Sequence, residues 1–247
     1  MNAFHIEAQP VARPATRGIL GNTAWSALDF WTQQAAALLV FIMVGNLVGP
    51  AAVGVVTVAQ LFVTLAMTLL IDGFSDALVQ RPVMEARHFD AAFTLLLGLG
   101  LTAALVLVLA APLIAALFGM PDLTRTLRLL ALSLPLIGAG AAWQALLQRA
   151  LRFRSLALRS LVAQAAGLGT GIALAAAGEG VLSLVGAFLA ARGVDAVLCA
   201  VLARRAPGLA ADRAAFADIL GFGRHRVGNQ IVGFVVMQVD RFSAGLF

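Results

Sequence analysis

The chain alternates between long apolar runs and short polar breaks. Seven apolar runs of about 20 residues or more follow one another, each long enough to cross the hydrocarbon core of a bilayer as a helix. The first extends from about Asn22 to Val48 and ends at Gly49-Pro50, because proline cannot continue a helix ladder. The second covers about Val53 to Val79 and exits through Gln80-Arg81-Pro82 towards Asp90. The third spans about Ala91 to Phe118 and stops at Gly119-Met120-Pro121-Asp122. The fourth begins near Leu123, carries Arg125 and Arg128 at its head, is expected to kink at Pro135 and ends near Leu147. A four-arginine connection, Arg149 to Arg159, precedes the fifth, which reaches about Ala177. Gly178-Glu179-Gly180 then turns into the sixth, ending near Ala203, and the seventh occupies Val227 to Phe247.

This pattern predicts an all-α integral membrane protein. Residues 1–20 read as a cytoplasmic tail, since they lack the apolar core and cleavage site of a signal peptide. Residues 21–203 form a six-helix transmembrane lobe, 204–226 a cytoplasmic linker, and 227–247 the first helix of a further lobe. The last run leaves no polar tail to anchor it, so the chain is expected to be a truncated two-lobed protein.

Composition supports the membrane reading. Of the 247 residues, 61% are hydrophobic and 12% charged, which leaves too little polar surface to coat a water-soluble globule. All 17 basic residues are arginine. They lie between apolar runs and not along one aromatic-interleaved face, so they read as membrane flanks and exclude nucleic acid as a partner.

Their distribution sets an orientation, because basic flanks resist translocation. Thirteen arginines fall on one side: Arg13 and Arg17; Arg81 and Arg87; Arg149, Arg152, Arg154 and Arg159; Arg204, Arg205, Arg213, Arg224 and Arg226. The opposite turns hold only Arg125 and Arg128, which puts the N-terminus in the cytoplasm.

Ionisable residues inside apolar runs need a reason, since each costs roughly 2.5–3.5 kcal/mol at mid-helix on insertion scales. Asp29 has Gln33 one turn below it, and Asp72 and Asp76 share a face of the second run. Arg192 and Asp195 are spaced to pair with each other, and Asp240 and Arg241 to pair with neighbouring helices. Two readings stay open for this set. Either these side chains line a hydrated cavity or couple an ion, or they reach the interface and staple helices together.

Small residues four apart let helix backbones approach, which points to Gly45 with Gly49 and Gly167 with Gly171 as packing pairs. The run Gly167-Leu168-Gly169-Thr170-Gly171 lacks the preceding strand of a nucleotide loop. His5, His88 and His225 lie far apart in polar segments and read as solvated, and neither HExxH nor paired cysteines occur. The single cysteine, Cys199, excludes an intrachain disulfide. No catalytic residue, cofactor or metal ligand set emerges.

Four segments carry a family resemblance: Gly49-Pro50-Ala51-Ala52-Val53-Gly54; Asp72-Gly73-Phe74-Ser75-Asp76-Ala77-Leu78-Val79-Gln80-Arg81; Leu147-Gln148-Arg149-Ala150-Leu151-Arg152-Phe153-Arg154-Ser155-Leu156-Ala157; and Phe222-Gly223 followed by Asp240-Arg241 and Gly245. In that order they resemble the polysaccharide-export branch (O-antigen and exopolysaccharide flippases) of the multidrug/oligosaccharidyl-lipid/polysaccharide flippase superfamily. The resemblance implies a MATE-like bundle, here one six-helix lobe plus the first helix of a second. It also implies a multi-pass inner-membrane transporter, not an enzyme, that flips lipid-linked oligosaccharide for surface polysaccharide biosynthesis. The implied partners are an undecaprenyl diphosphate-type lipid, membrane lipids and a coupling proton or sodium ion. Within that frame Asp29, Gln33, Asp72, Asp76, Arg192, Asp195, Asp240 and Arg241 are the cavity or coupling candidates. A drug or cation antiporter of the same superfamily is the alternative suggested by the in-span acids. A membrane-embedded glycosyl transferase or ligase is a further one, which the short external loops disfavour.

Overall fold

The computed structural model describes residues 16–80 and 86–208, and every described element is helical. They are α1 (Thr16–Val48), α2 (Pro50–Met67), a π-helical turn (Thr68–Asp72), α3 (Gly73–Gln80), α4 (Ala86–Phe118), α5 (Asp122–Ala131), α6 (Ser133–Arg149), α7 (Phe153–Ala176) and α8 (Val181–Ala203). Among the described residues six stretches are long and apolar enough to cross a membrane, two of them composite: Pro50–Asp72 and Asp122–Arg149. The chain is a multi-pass membrane protein. The seventh run, most of the linker and the greater part of the N-terminal tail lie outside the described residues.

The helices use size in the reverse of the water-soluble pattern. On α4 the leucines at 101, 105, 109, 113 and 117 recur every fourth position and all face outward, with Leu117 82% exposed. Ala103, Ala104, Ala111 and Ala115 face inward. Lipid tails accept large apolar groups at no cost, while small inward residues let the neighbouring helix approach. Against α4 the closest approach falls at Gly138 of α6, where an added Cβ would sit 2.3 Å from the Leu96 carbonyl oxygen. Between α7 and α8 it falls at Gly167, where a Cβ would lie 2.7 Å from the Ala187 oxygen, and at Gly171, 2.9 Å from the Ala187 Cβ. Gly49 differs from the expected packing role. It is the hinge between α1 and α2, with φ +92° and open space where a side chain would be.

Two of the expected straight runs are interrupted. The second span does not start at Val53 and continue unbroken, but begins at Pro50 and widens into the π turn before α3. The fourth breaks at Leu132, one turn ahead of Pro135, whose missing N–H cannot serve the carbonyl one turn back. Before the break, α5 is amphipathic: Leu123, Thr126, Leu127 and Leu130 are buried while Arg125 and Arg128 are exposed.

One end of the bundle is held together by arginines that had read as mere membrane flanks. Arg149 donates to the Leu78 and Val79 carbonyls at 3.2 and 3.0 Å, and Arg152 to the Leu202 carbonyl at 3.2 Å. Those are last-turn carbonyls of α3 and α8, which have no partner within their own helices and carry partial negative charge. Arg154 lies 5.9 Å from the Trp25 ring of α1. Beyond α8 the chain folds back. Arg205 pairs with Asp90 at 3.3 Å and lies 4.8 Å over the Phe89 ring, while the Gly208 N–H donates to Asp90 at 2.9 Å and the Trp143 indole N–H to the Arg205 carbonyl at 3.0 Å. Next to this clasp His88 is buried, 5% exposed, and not solvated as its polar neighbours had suggested.

Candidate functional site

The polar residues of the spans converge because each helix contributes one stripe at three- or four-residue spacing. On α6 these are Gln144 and Gln148, on α7 Arg159, Ser160 and Gln164, and on α8 Arg192 and Asp195. Gln33 joins from α1 and Ser75 from α3. The π turn delivers Asp72, its wider winding altering which way the last residue faces before α3 resumes. Together they surround a cavity of about 400 Å³ within the size range of small-molecule sites.

The centre of the site is an ion pair that differs from the expected one. Arg192 does not staple Asp195; its guanidinium lies 5.1 Å over the Phe188 ring, one turn back on the same helix. Asp195 instead meets Arg159 of α7, Nε to Oδ1 at 3.1 Å, with the two side chains 22% and 3% exposed. Arg159 does not belong to the polar connection before the fifth span but lies inside α7. The contact with Asp195 is an ion pair without aligned hydrogen-bond geometry at Nε. Through Nη1, Arg159 also donates to the Gln144 amide oxygen at 3.4 Å and to the Cys199 sulfur. Arg192 is in turn electrostatically coupled to Asp195, Arg159 and Asp72.

Of the residues singled out from sequence, Gln33, Asp72, Arg192 and Asp195 are thus brought to one cavity. Asp29 stands off its wall, half-buried, with one buried carboxylate oxygen lacking a hydrogen-bond partner and its charge acting on Asp195. The side chain of Asp76, and Asp240 and Arg241 entirely, lie outside the described residues. No group of three or more His, Cys, Asp or Glu placed to hold a metal gathers among the described residues.

Residues 43–247 match the family described as polysaccharide biosynthesis protein. The chain belongs to that family. Among family relatives, it is 26% identical over 233 residues to the succinoglycan biosynthesis transport protein ExoT of Rhizobium meliloti (strain 1021), covering 94% of this chain and 46% of that protein. It is 23% identical over 218 residues to the lipopolysaccharide biosynthesis protein WzxC of Escherichia coli (strain K12), covering 87% and 44% respectively. The chain therefore spans about half the length of these relatives. Its fold is shared with a MOP superfamily transporter from Pyrococcus furiosus Vc1 (DSM3638), at TM-score 0.67 and 20% identity over 90% of this chain and 54% of that one. It is shared too with an outward-facing multidrug resistance MATE family transporter of the same superfamily, at TM-score 0.62 and 21% identity over the same shares.

In this polysaccharide biosynthesis family member the site also holds amides and a hydroxyl that the charge pattern does not reveal. Gln144 and Gln148, like Ser160 and Gln164, stand four apart within apolar stretches, a signal as regular as that of the acids. Arg159 was hidden by its membership of a basic cluster.

Proposed function

We propose that this protein serves in flipping lipid-linked oligosaccharide across the inner membrane for surface polysaccharide biosynthesis, as a transporter and not as an enzyme. The observation that carries the reading is a hydrated-type cavity, rich in amides, hydroxyls and paired charges, set among membrane-spanning helices of a polysaccharide biosynthesis family member. A polar headgroup needs such a route through the low-dielectric interior, whereas its lipid tail can remain in hydrocarbon. Two relatives named for lipopolysaccharide and succinoglycan biosynthesis support the same class of cargo. Deleting the gene is expected to leave lipid-linked oligosaccharide on the cytoplasmic leaflet. Unligated or unpolymerised sugar accumulating outside instead would overturn the reading in favour of an enzyme.

The arginine-held end of the bundle faces the cytoplasm in this proposal, and the N-terminus lies on that side. Reporter fusions after Gly49 and Glu179 are expected to report the external side, and fusions after Arg87 and Arg154 the internal one. The reverse pattern would invert the topology.

A further inference from the structure

Among the described residues that line the cavity, positive and negative charges are equal in number. Among its described lining residues are two arginines, Arg159 and Arg192, and two aspartates, Asp72 and Asp195. Arg159 and Asp195 are in direct contact, and Arg192 lies within electrostatic reach of both aspartates. An anion entering here gains from these arginines and loses to these aspartates by comparable amounts, so the four side chains together offer a diphosphate no net attraction.

The neutral groups remain. Gln33, Gln144, Gln148 and Gln164 come from three helices, and Ser75 and Ser160 add hydroxyls. Arg159 engages the Gln144 oxygen, leaving that residue's amide N–H groups to the cavity. Gln33, Gln148 and Gln164 have no hydrogen bond to another described residue. A carboxamide presents donor and acceptor side by side, as a sugar hydroxyl does, and needs no counter-charge.

From this we infer that the cavity recognises the uncharged, polyhydroxylated glycan of the cargo, with Gln33, Gln144, Gln148 and Gln164 as specificity-determining residues, and does not hold the diphosphate. The inference rests on the proposed oligosaccharide cargo and deepens it. Glycan hydroxyls replace water on the amides, and the diphosphate stays outside this wall of the bundle.

The test uses the full chain in lipid nanodiscs. Two probes are compared by calorimetric titration: the glycan released by mild acid from the host's lipid-linked pool, and inorganic pyrophosphate. The glycan is expected to bind with an affinity that changes by less than about twofold between low and high salt, as for an uncharged ligand. Pyrophosphate is expected neither to bind nor to compete. Gln144→Leu and Gln164→Leu are each expected to weaken glycan binding about tenfold, at unchanged helix content, because a lost partner leaves a ligand hydroxyl unpaired. Gln33→Leu, on a different helix, repeats the test should an α6 or α7 variant fail to fold.

Pyrophosphate competition, no glycan binding, or wild-type affinity in the folded glutamine variants would each overturn the inference. Failure of the transport reading looks different, because then deletion of the gene leaves the lipid-linked pool unchanged. If deletion does trap that pool while the glutamine variants clear it at the wild-type rate, only the amide assignment falls.

Discussion

Arg159→Ala is expected to be the most damaging single charge removal in the chain. It deletes the cation 3.1 Å from the Asp195 carboxylate and the donor to Gln144 and Cys199, leaving Asp195 with only the more distant charge of Arg192 to offset it. Breaking a buried pair by removing one partner costs about 3–5 kcal/mol, and the lower end applies because Asp195 keeps some exposure to the cavity. Thermal unfolding of the purified protein should show a large fall in midpoint together with reduced membrane abundance. The double variant Arg159→Ala with Asp195→Ala should recover most of the loss, since no orphaned charge remains. Arg192→Ala should cost less, because Arg192 acts on the aspartates from a distance and its direct contact is a ring face worth about 0.5–2 kcal/mol. If the double variant is as unstable as Arg159→Ala alone, packing and not charge holds α7 to α8.

The glycine triplet of α7 is expected to split into sensitive and indifferent positions. Gly167→Val forces a Cβ to 2.7 Å from the Ala187 carbonyl oxygen and 2.9 Å from the Ala191 Cβ, contacts that only separation of α7 and α8 can relieve. Overpacking of this kind costs about 1–3 kcal/mol and, against backbone, more. It would also draw Arg159 away from Asp195. Gly169→Ala meets nothing within 4 Å and should be neutral or gain up to about 1 kcal/mol from helix propensity. Scanning fluorimetry of both variants in detergent decides the matter, and equal midpoints would refute the assigned contact face.

These two cases separate what the sequence encodes locally from what only packing decides. The membrane spans were legible because a bilayer forces every backbone polar group into helical bonds and tolerates only apolar surface. The close approach at Gly167 and Gly171 was legible for the same reason, since four-residue spacing of small side chains leaves a groove whatever the neighbour is. The π turn was not. Thr68-Leu69-Leu70-Ile71-Asp72 is as apolar and helix-compatible as the residues before it, so no local pattern marks the extra winding. Arg192 and Asp195 had the spacing of a pair, yet Phe188 one turn back gave the guanidinium an alternative and left the carboxylate to Arg159 across the helix interface. That choice turns on the register of α7 against α8, which no local pattern encodes. The glutamines were overlooked for a simpler reason, because an amide in a membrane span costs less than a charge and demands less explanation.

The clasp around Asp90 fixes the segment that follows α8, as far as Gly208. Arg205 and Gly208 are tied to the start of α4, and the Arg205 carbonyl to Trp143 of α6, so the segment after α8 is moored to two helices besides the one it continues. A pull exerted by the residues that follow therefore reaches α4 and α6 directly, without having to pass along α8. Since α6 carries Gln144 one residue beyond Trp143, the moored segment is anchored one residue along the chain from the cavity wall.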